Sequence, residues 1–493
     1  MTGFNLLTEN WIPVQKQGQF ETISLKRLLC NDEDWHICLS RDDMEMAALQ
    51  LIVCIVQVVF MPDDEDDLRE AYSKPMKEAD YEKGILPYIE WFDLLHPEYP
   101  FMQCTNVKAS KIKSPQALLT GLPEKTSTSA SSHKFFNDIE DVDMLDLNIA
   151  TIALFNRALN APSEGGGFKS SLRGGAPATT LIVSESLRQT IWCNILTRET
   201  IQTHYPNFEA KQEKDLPTWM DLIVPQSEFY SYQIGFRRGL FWQPAKIKLA
   251  VEGSKVIGMS SEKMTYQLKD EPEHRWLHPH SPKKWSLGKD GRKETYLSFT
   301  TTAPAWTQLT NILIREDMDK EGHEPPLVIK QYRDLFRGRS LHLIIGGYRN
   351  NQAKIEQRRH ELLSISQGWD NNTGQENIKY LVSLSLNYKN ELRNKLYGVA
   401  KNIGGENGVI GLSDKGQDLF YQQSESLIHS YISQMDWQQA DHKIGTFKSS
   451  LNFLCRSIFD QLMLPYEHDP KFLRYIVVIR ARLNGALKKI GEN

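Results

Sequence analysis

A chain of 493 residues exceeds one ordinary domain, and its 40% hydrophobic and 24% charged content is that of a soluble globular protein with material for a sizeable core. The longest apolar run, 47–61, is broken by Gln50 and Gln57 and is shorter than the roughly 20 residues a bilayer requires, which excludes a membrane span there. A formal net charge of −4 excludes a uniformly basic nucleic-acid binder, but binding follows the local field and not the sum.

The N-terminal Met-Thr-Gly-Phe-Asn has neither a basic flank nor an apolar signal core, so a cytoplasmic protein is expected. Arg41-Asp42-Asp43-Met44-Glu45 opens the apolar run as the acidic first turn of a buried helix. Residues 62–70 are an acidic surface run. Six cysteines contain no Cys-x-x-Cys pair, so neither a disulfide framework nor a zinc site is expected. Residues 121–136 are small, polar and aperiodic, predicting a long loop, and 158–175 form a second irregular stretch dense in glycine. From about 180 to 345, short β-branched and aromatic runs alternate with Pro, Gly and Asp, predicting strands. From about 354 the pattern is helical. Ile378, Leu381, Val382, Leu392, Leu396 and Val399 mark one stripe, and Phe447, Leu451, Leu454, Ile458 and Leu462 another. The predicted fold is α+β: a large mixed N-terminal domain over 1–360, then an antiparallel four-helix bundle over 361–493. The last helix carries Lys471, Arg474, Arg480, Arg482, Lys488 and Lys489 with no acid between them, a candidate surface for nucleic acid.

Gly165-Gly166-Gly167-Phe168-Lys169-Ser170 departs from a P-loop, because Phe168 and Ser163 stand where its two glycines belong. Three glycines let the backbone approach a narrow surface with its N–H groups free, and they equally suit a flexible linker. His278-Pro279-His280-Ser281-Pro282 lacks a third metal ligand nearby and reads as a rigid turn. Gly346-Gly347-Tyr348-Arg349-Asn350-Asn351-Gln352-Ala353 follows an apolar strand and precedes an expected helix start near Lys354, with the two glycines letting the turn protrude. Its amides suit base edges, but on local physics alone the capping of that helix is the more ordinary role. No nucleophile elbow, HExxH helix or EF-hand loop is present, so no catalytic role is expected.

With these strings stand Asn10-Trp11-Ile12-Pro13-Val14, Pro100-Phe101-Met102-Gln103, Ala153-Leu154-Phe155-Asn156, Gly239-Leu240-Phe241-Trp242-Gln243-Pro244 and Thr300 to Gln308. In this order, over nearly the full chain, the sequence resembles the CasA family, the large subunit of the type I-E CRISPR Cascade complex. The resemblance implies a non-catalytic subunit of a crRNA-guided complex without a cofactor. Such a subunit recognises the protospacer-adjacent motif in double-stranded DNA, promotes strand separation and R-loop formation, and helps recruit the helicase–nuclease for antiviral interference, while the guide reads the remaining sequence. Implied partners are target DNA, the crRNA 5′ handle, other Cascade subunits and the helicase–nuclease.

The resemblance also assigns residues. Gly165, Gly166 and Gly167 match the loop that lies against the minor groove, Asn351 and Ala353 the motif-contacting residues, and Gln352 the wedge that parts the first base pair. Lys263 matches the minor-groove lysine, with Lys255 and Lys269 as alternatives. Phe135, with Phe136 as its rival, matches the aromatic that docks near the crRNA handle and the neighbouring subunit, and Lys289 a DNA-contacting surface lysine. Some relatives carry two Cys-x-x-Cys pairs that this chain lacks, so no metal is expected, and Ser163-Glu164 replaces a glycine and an aromatic at the head of the loop. Two other readings differ in class: a nucleotide-dependent enzyme using the Gly165 loop, and a purely architectural scaffold.

Overall fold

The computed structural model describes residues 3–108, 112–122, 142–205, 208, 215–269, 276–289, 291–404, 411–437 and 439–492. The chain divides into two compact units. One comprises Met1–Thr300, Arg315–Leu335 and Leu343–His360, the other Thr301–Ile314, Phe336–His342 and Glu361–Asn493.

The larger unit is built on helix Asp42–Val59. Asp42, Asp43 and Glu45 occupy its first turn, where carboxylates meet the positive end of the helix dipole, and every residue from Met46 to Val59 is buried. Gln57 tolerates burial because its amide is satisfied at both ends: Nε2 donates to Leu196 O at 2.9 Å, and Leu196 N donates to Oε1 at 2.7 Å. Helix Leu147–Leu159 packs against this core helix. Small sheets make up much of the rest of the unit. Strand Asn10–Lys16 lies between Gln19–Ser24 and His36–Ile37, and Ala245–Glu252 pairs with Lys255–Lys263, which also takes edge strand Leu145–Asp146. A four-stranded sheet runs Gly291–Tyr296, Lys283–Gly288, Glu321–Glu324, Glu316–Asp317. No helix of the described residues is long and apolar enough to cross a membrane.

One expectation is overturned. Lys354 opens a strand, Lys354–Ile365, where the sequence suggested a helix start; the strand lies beside Leu341–Asn351, which in turn lies beside Thr179–Val183. Its burial follows a period of two except at Gln357, which is exposed at an inward-phase position: Ile355 is half-buried and Arg359, Leu363 and Ile365 are buried, while Lys354, Glu356, Arg358, Leu362 and Ser364 are exposed. Gln357 and Arg359 at inward-phase positions disguise the alternation, and the buried Arg359 guanidinium lies 5.1 Å over the Phe299 ring instead of in water.

The long helices of the second unit begin only at Asn372. They are Asn372–Gly404, Gly411–Gln434, Asp441–Met463 and Pro470–Glu492, packed as a four-helix bundle. The predicted stripes face inward: Ile378, Leu381, Val382, Leu392, Leu396 and Val399 are buried, as are Phe447, Leu451, Ile458 and Leu462. Leu454 is half-buried and its neighbour Cys455 takes the core position.

Candidate nucleic-acid interface

The glycine loop leaves helix Leu147–Leu159 and runs to strand Thr179–Val183. Gly165, Gly166 and Gly167 have φ of +74, +55 and +92°, a succession of left-handed residues that side chains would strain. Phe168 N donates to Gly165 O at 3.0 Å and closes the turn. A Cβ on Gly165 would stand 3.4 Å from Ala353 Cβ, and one on Gly167 3.4 Å from Lys263 Nζ, whereas a Cβ on Gly166 would meet nothing within 4 Å. The outer glycines of the loop thus face close neighbours, and the middle one faces open space.

Against it stands the tip of the hairpin formed by Leu341–Asn351 and Lys354–Ile365, joined by the two-residue turn Gln352-Ala353. Gln352 has φ +54° in a position that hairpins ordinarily give to glycine, and Asn350 Nδ2 donates to its carbonyl at 2.5 Å. Asn351, Gln352 and Ala353 are all exposed. Behind the tip, Arg349 pairs with Glu356 across the strands at 3.1 Å, and Arg358 with Asp42 at 3.0 Å. Gly346 and Gly347 do not free the tip, as the sequence suggested; they allow close packing. A Cβ on Gly346 would collide with Met46 Sδ, and one on Gly347 would stand 2.8 Å from Pro177 O.

Loop, tip and Lys263 share a cleft of about 460 Å3, lined also by Lys113, Arg157, Glu164, Phe168, Gly121 and Ile355. Lys263 Nζ lies 5.7 Å over the Phe168 ring. The alternatives Lys255 and Lys269 are engaged elsewhere, with Asp146 at 2.5 Å and with Glu228. Lys289 sits in the exposed turn after strand Lys283–Gly288, and the residues lining the cleft do not include it. Phe135 and Phe136 lie outside the described residues.

The cleft thus offers backbone donors free of side-chain bulk, several cations against a single carboxylate, and a protruding tip of amides. That combination suits a narrow, acceptor-lined, polyanionic groove.

The model of the CRISPR-associated protein Cse1 family matches residues 5–458. The chain belongs to the Cse1 family. Its fold is similar to Thermobifida fusca Cse1, with a TM-score of 0.80 at 16% identity over 99% of this chain and 98% of that one. Thermus thermophilus CasA (Cse1) matches with a TM-score of 0.75 at 17% identity, covering 98% of this chain and 100% of that one. A chain of a CRISPR RNA-guided surveillance complex gives 0.70 at 15% identity, covering 98% and 99%. The CasA resemblance carried by the sequence strings is borne out, and so is the α+β fold with a helical C-terminal region.

In this Cse1-family chain the glycine loop runs from helix to strand, the reverse of a P-loop, and Lys169 Nζ lies 5.8 Å over the Tyr266 ring. His278 and His280 are buried in one turn, their ring centroids 5.3 Å apart. Sequence reasoning missed Arg157 and Lys113. Arg157 pairs with Glu164 and donates to Ala117 O, while Lys113 Nζ stands 3.7 Å from Glu164. One signal was available, because Arg157 is the sole charge in a largely buried helix.

Proposed function

We propose that this chain is the non-catalytic, DNA-recognising large subunit of a cytoplasmic crRNA-guided type I-E surveillance complex. It reads the protospacer-adjacent motif through the minor groove, opens the adjoining base pairs and helps recruit the helicase–nuclease. The observation that carries the reading is the convergence of Gly165, Lys263 and Ala353, far apart in sequence, on one cleft beside the exposed Asn351-Gln352 tip. Family membership supports the setting, and the chain similar to it in a surveillance complex supports the partners. Within this reading the mixed part of the chain up to about residue 360 reads DNA and the bundle adds a sequence-independent surface. Phe135 or Phe136 docks near the crRNA handle and the neighbouring subunit, and Lys289 touches DNA outside the cleft.

The minor groove shows a degenerate pattern, so the complex should accept several motifs. A gel-shift panel of motif variants with the reconstituted complex tests this. Lys263→Ala and Asn351→Ala should each weaken motif-dependent binding about tenfold, a loss of about 1.4 kcal/mol, the order of one hydrogen bond. Unchanged affinity in both would leave a scaffold role, and ATP turnover lost in Lys169→Ala would make the chain an enzyme.

A further inference from the structure

A continuous polar chain runs through the interior of the larger unit behind the cleft. Arg173, 3% exposed, donates from one terminal nitrogen to Asn160 Oδ1 at 2.6 Å. Asn160 Nδ2 donates to Asn156 Oδ1 at 3.1 Å, and Asn156 Nδ2 donates to the Tyr348 hydroxyl at 2.6 Å. That hydroxyl donates to Asp43 Oδ2 at 2.7 Å, and Arg41 closes the end with hydrogen bonds to both Asp43 oxygens at 2.9 and 2.6 Å. From Arg173 to Asp43 every group donates in the same direction. Turning either amide over would set donor against donor, so the chain permits one arrangement, and buried members would be costly to orphan.

Its members sit where the cleft needs them. Asn160 lies five residues before Gly165 and Arg173 six after Gly167, so the chain pins both ends of the segment that carries the glycines. Tyr348 lies three residues before Asn351 on the tip strand, and Asp43 shares its helix start with Asp42, which holds Arg358 of the opposite strand. Arg173 makes further bonds to Thr179, Ser281 and Leu159 O at 2.8, 2.8 and 2.9 Å.

We infer that Asp43, Tyr348, Asn156, Asn160 and Arg173 are positioning residues that fix the gap between the glycine loop and the hairpin tip. The inference rests on the reading head proposed above and explains why the strings at 41–45, 153–156 and 346–353 occur together: each supplies a member of one hydrogen-bonded line.

Tyr348→Phe, Asn156→Ala and the double variant, made in the full chain, test it. Native-state hydrogen exchange is read over residues 160–176 and 345–360. Each single change should raise exchange about tenfold in both segments, and the double variant no more than the larger single. The control Ile52→Val, in the same core helix as Asp43 but outside the polar line, should not raise exchange tenfold in these two segments. A rise confined to the substituted segment, or effects that simply add, overturns the inference. Should Tyr348→Phe fail to fold, Asn160→Ala breaks the same line and is read the same way. In the assembled complex Tyr348→Phe should slow opening of the first base pairs about tenfold, as loss of a buried hydrogen bond implies, and a target already mismatched there should restore it. Gln352→Gly, run alongside, separates the two failures. If it opens DNA like the parent, the wedge reading fails and exchange alone judges the polar line. If it slows opening while Tyr348→Phe does not, the positioning role is wrong.

Discussion

Gln352 holds its side chain on a backbone that only glycine adopts freely, at φ +54°, and a non-glycine residue there costs on the order of 1–2 kcal/mol. Gln352→Gly should therefore leave the hairpin as stable or slightly more so. A loss of strand opening in this variant could not be blamed on a collapsed turn. Binding to intact duplex should persist, 2-aminopurine next to the motif should report slower opening, and a pre-mismatched target should rescue it. His278 and His280 make a second residue-scale prediction. Burial pushes both rings down, with the nearby Arg173 charge acting the same way, and His280 falls to about 3. Unfolded histidines titrate near 6.5, so below that pH the unfolded chain takes up protons that the folded one refuses. Stability should be flat above pH 7 and fall as pH drops below about 6.5, at up to about 1.4 kcal/mol per pH unit for each ring. Urea midpoints between pH 8 and 5 measure it, and His280→Gln should fall less steeply. At this scale the sequence was informative only where residues adjoin. The 346–353 string stood out as a tip, but Tyr348 and Asp43 meet across 305 positions, and no local pattern announces such a partner.

The glycine loop is an element whose geometry matters more than its chemistry. Gly166 has open space around it, so Gly166→Ala meets no clash, only the strain of φ +55° at about 1 kcal/mol and a methyl group set into the opening. Complex assembly should be intact while duplex binding weakens several-fold in gel shifts. The last helix divides its charges differently from the plain run in the sequence. Arg480 is held by Asp460 at 2.7 Å and by Glu467, whereas Lys471, Arg474 and Arg482 are exposed. Changing those three to Gln should lower affinity about equally for all motifs and flatten the slope of log affinity against log salt by roughly 0.9 for each phosphate no longer neutralised. Arg480→Ala should leave that slope alone and reduce bundle stability by up to about 1 kcal/mol, seen as a lower Tm. The bundle helices were legible because their apolar stripes keep helical spacing. Strand Lys354–Ile365 was not, because Gln357 and Arg359 at inward-phase positions erase the two-residue rhythm that identifies a strand.

Across the whole molecule, a net charge of −4 coexists with a cleft whose lining includes Lys113, Arg157 and Lys263 and with a basic last helix, so the field that matters is local. The division between a mixed part and a helical part was readable from periodicity alone, whereas the cleft was not, since loop, strand end and hairpin tip become neighbours only through folding. The two-residue turn also limits how such a molecule can be re-engineered. Adding one residue to a strand of the hairpin would exchange its faces beyond the insertion, sending Arg359 away from the Phe299 ring and turning the pairs at Arg349 and Arg358 away from their partners. Libraries that seek a new motif preference should therefore vary residue identity at 351–353 and leave the length of both hairpin strands unchanged.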